Sequence, residues 1–70
     1  MLSRELRKLI PEFVEWIESN RITSFYPRDV AQKFNLNEES AKQLVKLAEN
    51  EVTEFELMKP RLDGKRVIKI

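Results

Sequence analysis

Near the C-terminal end of the sequence, Lys59, Arg61, Lys65 and Arg66 surround the dipeptide Asp63-Gly64, with Lys69 further along and Asp63 as the only acid among them. Such side chains at this density suit phosphate oxygens. A guanidinium fork engages them two bonds at a time, and an ammonium acts as a compact point charge. If Asp63-Gly64 closes a two-residue hairpin turn, Leu62 pairs with Lys65 and Arg61 lies opposite Arg66. Like charges directly across a strand pair repel, and a phosphate between them relieves the repulsion. Lysines and Pro60 on an exposed hairpin also guard a sheet edge against further strand pairing, although that duty alone calls for no arginines. Arg28 is a further phosphate candidate, with a solvated charge as its plain alternative.

Other chemistry is thinly represented. The chain has no cysteine and no histidine, which excludes a disulfide framework, zinc-finger spacing and a Ser/His or Cys/His catalytic pair. The acid pairs Glu38/Glu39 and Glu54/Glu56 point apart on a helix or strand, and so small a core supplies no pocket. Neither an enzyme nor a cofactor is expected, and no metal site.

These residues sit in a chain of 70. That is one domain, residues 1–70, near the lower limit for a single core, because a chain this short buries only about 60% of its surface. The net charge of +1 gives no bulk attraction to a polyanion, but its distribution is uneven: residues 37–57 hold two basic and six acidic side chains, residues 58–70 five and one. MLSRELRKLI meets charges within its first four positions, and no apolar stretch approaches the length of a membrane span, so a soluble cytoplasmic protein without membrane contact is expected.

Residues 2–20 place Leu2, Leu6, Leu9, Ile10, Phe13, Val14, Trp16 and Ile17 at helical spacing, with charges between them, which predicts one amphipathic helix. Pro11 should kink it or mark its true beginning, giving a well-ordered part from Pro11 to Asn20. ITSF (22–25) predicts a short strand. YPRDVAQKF predicts a helix with Pro27 at its first position, Asp29 in its first turn and Val30, Ala31 and Phe34 inward. NLN then ends that helix with Asn35 in the left-handed conformation and caps the next with Asn37. The third helix runs from about Glu38 to Asn50, with Ala41, Leu44, Leu47 and Ala48 on its inner side and Val45 at the margin. VTEFELM and RVIKI predict two strands joined through Asp63-Gly64. Phe13, Trp16, Phe25, Phe34 and Phe55 occupy inward positions and read as core. Tyr26, just before Pro27, either caps the helix base or stays exposed.

This order, α-β-α-α-β-β, resembles the winged-helix family: an α+β fold in which a three-helix bundle with a helix-turn-helix is followed by a β-hairpin wing. The resemblance is carried by DVAQKFNLNEESAKQLVKLAEN, where Ala31 lets two helices approach and Leu44 and Leu47 anchor the second, and by FELMKPRLDGKRVIKI as the wing. In DNA-binding members the second helix of the pair enters the major groove and the wing lies along the backbone or an adjacent minor groove. The resemblance therefore implies Glu39, Lys42, Gln43 and Lys46 as base-reading candidates: Gln43 toward adenine, a lysine toward guanine or phosphate, a glutamate toward the cytosine amino group. Glu38 and Glu39 also have a structural explanation, since both complement the helix dipole and Glu38 is placed for an ion pair with Lys42.

The expected function is binding of double-stranded DNA without chemistry, as a transcription regulator or an accessory factor of replication or repair, in association with the nucleoid. Lys59, Arg61, Lys65, Arg66 and Arg28 would hold the backbone. Two alternatives share the scaffold: docking of a basic protein partner on the acids Glu38, Glu39, Glu49, Glu51, Glu54 and Glu56, and binding of structured RNA. A monomer and a homodimer through the first helix are both open.

Overall fold

A computed structural model describes residues 3–52 and 56–69. The elements are α1 (Ser3–Arg7), α2 (Ile10–Ser19), β1 (Ser24–Phe25), α3 (Pro27–Lys33), α4 (Glu38–Glu51), β2 (Glu56–Leu57) and β3 (Arg66–Lys69). Together they form an α+β domain whose three strands are antiparallel in the order β1-β3-β2, so the last strand is the central one. Leu2, Ile70 and residues 53–55, with Glu54 and the expected core residue Phe55, lie outside the described residues.

Of the two effects expected of Pro11, a kink or a true helix start, the second is found: α2 begins at Ile10 as a helix separate from α1. Pro11 sits in the first turn of α2. Its nitrogen has no proton for the carbonyl four residues back, that of Arg7, and Arg7 is the residue at which α1 ends. The apolar stripe survives the break: Leu6, Ile10, Phe13 and Ile17 are all buried, across both helices. At the other end of α2 the chain turns through Arg21, held in the left-handed conformation at φ 51°. The Arg21 N–H donates to the Glu18 carbonyl at 3.3 Å and the Ile22 N–H to the Ile17 carbonyl at 3.0 Å. This bond pattern closes helix ends and normally carries glycine at the left-handed position.

The link between α3 and α4 follows the expectation in detail. Asn35 takes φ 55°, the Leu36 N–H donates to the Ala31 carbonyl at 2.8 Å, and the Asn37 side chain accepts from the Ser40 N–H at 2.7 Å. The inner face of α4 is rotated relative to expectation. Ser40, Ala41, Leu44, Val45 and Ala48 are buried, whereas Leu47 is only half-buried. The cause is that α4 is packed by α1, α2 and α3 together, which widens its covered arc on the Val45 side. Phe13 and Phe25 are core; Trp16 and Phe34 are half-buried against it.

The hairpin differs from a two-residue turn. The Gly64 N–H donates to the Arg61 carbonyl at 2.8 Å and the Arg61 N–H to the Lys65 carbonyl at 3.1 Å. The loop is therefore Leu62-Asp63-Gly64, with Gly64 at φ 88°, the three-residue loop that ends in a glycine bulge. Arg61 pairs with Lys65, so the facing Arg61/Arg66 pair does not form. The bulge offsets the register by one residue from the Leu57↔Ile68 pairing below it. The strand expected over 22–25 pairs only at Ser24↔Val67 and Phe25↔Arg66, with the Thr23 carbonyl accepting the Ile68 N–H at 2.8 Å.

Candidate functional site

The hairpin folds back beside α4, and between them lies a cleft of about 470 Å³ lined by Pro27, Lys42, Lys46, Glu49, Lys59, Pro60, Gly64 and Arg66. Two turns of α4 present Lys42 and Lys46 on one wall, and the hairpin presents Lys59 on the other. All three are exposed, and none has an ion-pair partner among the described residues. Three ammonium groups around one cleft, with only Glu49 as an acidic wall residue, concentrate positive potential there.

Two fastenings hold the hairpin in this position. The first is Arg66. Strand alternation puts it on the same face of β3 as the buried Ile68, and its side chain is only 11% exposed. Its Nε–H donates to the Met58 carbonyl at 3.1 Å, and its Nη2 lies 3.1 Å from Oε2 of Glu49 on α4. That contact is ionic and lacks the alignment of a hydrogen bond; among the described residues Nη2 is the buried side-chain atom without a hydrogen-bond partner. Arg66 thus ties the sheet to α4 from inside the cleft wall.

The second fastening is at the tip. The Tyr26 hydroxyl donates to Oδ2 of Asp63 at 3.1 Å, while Oδ1 of Asp63 accepts the Lys65 N–H at 3.0 Å. The Lys65 N–H and, beside it, the Tyr26 hydroxyl hold the Asp63 carboxyl below the ordinary aspartate range. Its hydrogen bond to Asp63 raises the Tyr26 hydroxyl above the ordinary tyrosine range. Tyr26 itself is fixed at the base of α3: its N–H donates to Oδ2 of Asp29 at 2.9 Å, and its backbone carbonyl, not its side chain, receives the Asp29 N–H. The guanidinium of Arg28 stacks 4.3 Å above the Tyr26 ring, a cation–π contact that brings Arg28 beside the hairpin tip.

The phosphate candidates are thereby divided. Lys59, Arg61, Lys65 and Arg28 are at least partly exposed around the cleft and the tip, while Arg66 is engaged within the fold. Of the four candidates on α4, Lys42 and Lys46 face the hairpin. Gln43 lies on the adjoining flank of α4, where it lines a groove together with Lys46, Leu47 and Asn50, and Glu39 is exposed in the first turn, outside the residues that line the cleft. The Glu38–Lys42 ion pair is not formed. The ion pairs among the described residues are tertiary: Arg7–Glu51 at 3.2 Å and Arg66–Glu49. An exposed helical pair gains only a few tenths of a kcal/mol against the entropy of fixing two long side chains.

Sequence reasoning missed both fastenings. Only the place of Tyr26 before Pro27 hinted that it was held, and nothing in the sequence linked it to Asp63, 37 residues away. No helix among the described residues is long and apolar enough to cross a membrane, and no cluster of metal-ligating side chains occurs among them. Comparisons with models of known protein families, with curated proteins and with solved structures find no match.

Proposed function

We propose that the chain is a winged-helix protein that binds double-stranded DNA, with α3 and α4 as its helix-turn-helix and the β2–β3 hairpin as its wing. Within that reading it serves as a transcription regulator or as an accessory factor of replication or repair. One observation carries the proposal: the cleft where Lys42 and Lys46 of the second helix meet Lys59 of the hairpin. Affinity comes from phosphate contacts by these three with Arg61, Lys65 and Arg28, and base discrimination from Lys42, Lys46 and Gln43 is limited. Glu39 at the start of α4 works against close approach of the backbone and shifts the contact toward the wing.

Two of the acids that would recommend protein docking are already paired with arginines of the chain itself, Glu49 with Arg66 and Glu51 with Arg7. A monomer is the form proposed, because Leu6, Ile10, Phe13 and Ile17 bury the apolar stripe of the first two helices in the chain's own core.

The test is a binding titration against random duplex, single strand and structured RNA at several salt concentrations. Duplex should bind best, with a log–log salt slope of about −3.6 for four phosphate contacts and about −5.4 for six. Charge reversal at Lys59, Arg61 and Lys65 together should abolish duplex binding. Absence of duplex binding at moderate salt, or tighter binding of RNA, overturns the proposal.

A further inference from the structure

The hairpin tip carries one side chain that its fold does not use. Leu62 is fully exposed, and it and Met58 are the exposed large apolar residues among those described. A leucine at this turn position has no conformational reason to be there, since turns favour proline, glycine and short polar residues. The turn that carries it is tied down. The Gly64 and Arg61 N–H groups close the loop, the Lys65 N–H binds Asp63, and Tyr26 anchors Asp63 to α3. Leu62 is therefore an apolar prong on a braced mount, and bracing lowers the conformational cost of using it.

Its neighbours identify the partner. Lys59, Arg61 and Lys65 carry positive charge on both sides of the tip, and both oxygens of Asp63 are occupied by hydrogen bonds. Leu62 amid cations, even with Met58 counted, is too little apolar area for a protein interface, which needs roughly 800 Å² from each side. It does match the way an apolar wedge enters a base step from the minor groove while cations hold the flanking phosphates.

Resting on the DNA-binding reading above, we infer that Leu62 is a wedge: it enters a base step from the minor groove, unstacks it and bends the duplex. Flexible pyrimidine–purine steps take it most easily, because they are the least costly to open.

The experiment uses the full chain and a duplex carrying 2-aminopurine in place of adenine at successive TA steps, with end-to-end energy transfer as a second readout. Anisotropy reports binding independently. At saturation the wild type should raise 2-aminopurine fluorescence and shorten the end-to-end distance. Leu62→Ser should still bind duplex, with the same salt slope and an affinity loss of no more than about tenfold, because wedge insertion is largely offset by unstacking. It should leave fluorescence and distance near those of free duplex, while Leu62→Phe restores both. Equal melting temperatures of Leu62→Ser and wild type confirm that the fold is untouched. If the wild type saturates the duplex without a fluorescence gain, or Leu62→Ser keeps the gain, the wedge is refuted and DNA binding stands. If the wild type gives no duplex anisotropy change, the DNA-binding reading fails, and the wedge with it.

Discussion

Replacing Arg66 by methionine separates a structural cation from a ligand-binding one. Methionine keeps most of the apolar stem, so the loss is confined to the guanidinium and its two partners. The bond from Nε–H to the Met58 carbonyl has a charged donor but lies at an exposed carbonyl that water can reach, which places its net worth at about 1–1.5 kcal/mol. The Glu49 contact joins a side chain 11% exposed to one 37% exposed, and after screening it contributes about 0.5–1 kcal/mol. Together Arg66→Met should destabilise the domain by about 2 kcal/mol, which for this chain length lowers the melting temperature by about 8–16 °C. Thermal unfolding followed by circular dichroism measures the loss. A double-mutant cycle with Glu49→Gln should return a coupling of about 0.5–1 kcal/mol, isolating the ion pair from the carbonyl bond. At a temperature where the variant is folded, the salt slope for duplex binding should equal that of wild type. The opposite result, an unchanged melting temperature with a salt slope smaller by about one, would mean that Arg66 is a phosphate-binding residue and that the fastening is not as described.

Arg21→Gly should stabilise the domain by about 0.5–1 kcal/mol, because relief of a left-handed non-glycine residue outweighs the glycine's greater freedom in the unfolded chain; a drop in melting temperature would reveal a contact made by the arginine side chain. Glu39→Lys should tighten duplex binding and steepen its salt slope by about one, and an unchanged affinity would place the start of α4 away from the backbone. The Tyr26–Asp63 fastening should hold across neutral pH. With the carboxyl lowered, the Asp63 contribution is complete above its unfolded value of about 3.9 and is lost as pH falls through the folded value. With the hydroxyl raised, the Tyr26 contribution is complete below about 10 and is lost as pH rises through the folded value. Ultraviolet titration of Tyr26 should therefore shift toward the ordinary tyrosine value in Asp63→Asn, and an unmoved midpoint would show that the two groups do not interact.

The parts of this fold that were legible in the sequence depend on single residues with narrow conformational tolerance. Pro27 at the start of α3, Asn35 in the left-handed turn, Asn37 as the cap of α4 and Gly64 in the hairpin each act within a few residues of themselves. Features set by distant neighbours were less legible. The turn of α4 that buries Val45 and leaves Leu47 at the margin depends on which helices pack around it, and a wheel drawn for one helix does not contain its neighbours. The three-residue loop was a choice among turn types that Asp63-Gly64 alone leaves open. The burial of Arg66 was half legible: in RVIKI, residue 66 shares its strand face with the isoleucines at 68 and 70. Its partner, Glu49, comes from another element, and no pattern within RVIKI points to it.

The fold changes how the charge of the hairpin is counted. Along the sequence, Arg66 adds to a basic cluster and Asp63 subtracts from it. In the fold each is engaged locally, Arg66 with Glu49 and Asp63 with Tyr26 and the Lys65 N–H. Glu49 offsets the charge of Arg66, whereas Asp63, bonded to neutral donors, keeps its negative charge at the tip, so the hairpin's outward cations are Lys59, Arg61 and Lys65, with Lys69 further down β3. The strength of the candidate site then depends less on the composition of residues 58–70 than on juxtaposition. The acidic stretch 37–57 contains only two lysines, and the fold turns both of them, Lys42 and Lys46, toward the hairpin cleft. A helix that is net negative by count thus presents a positive wall where the hairpin faces it, while Glu39 remains on a part of the helix outside that wall.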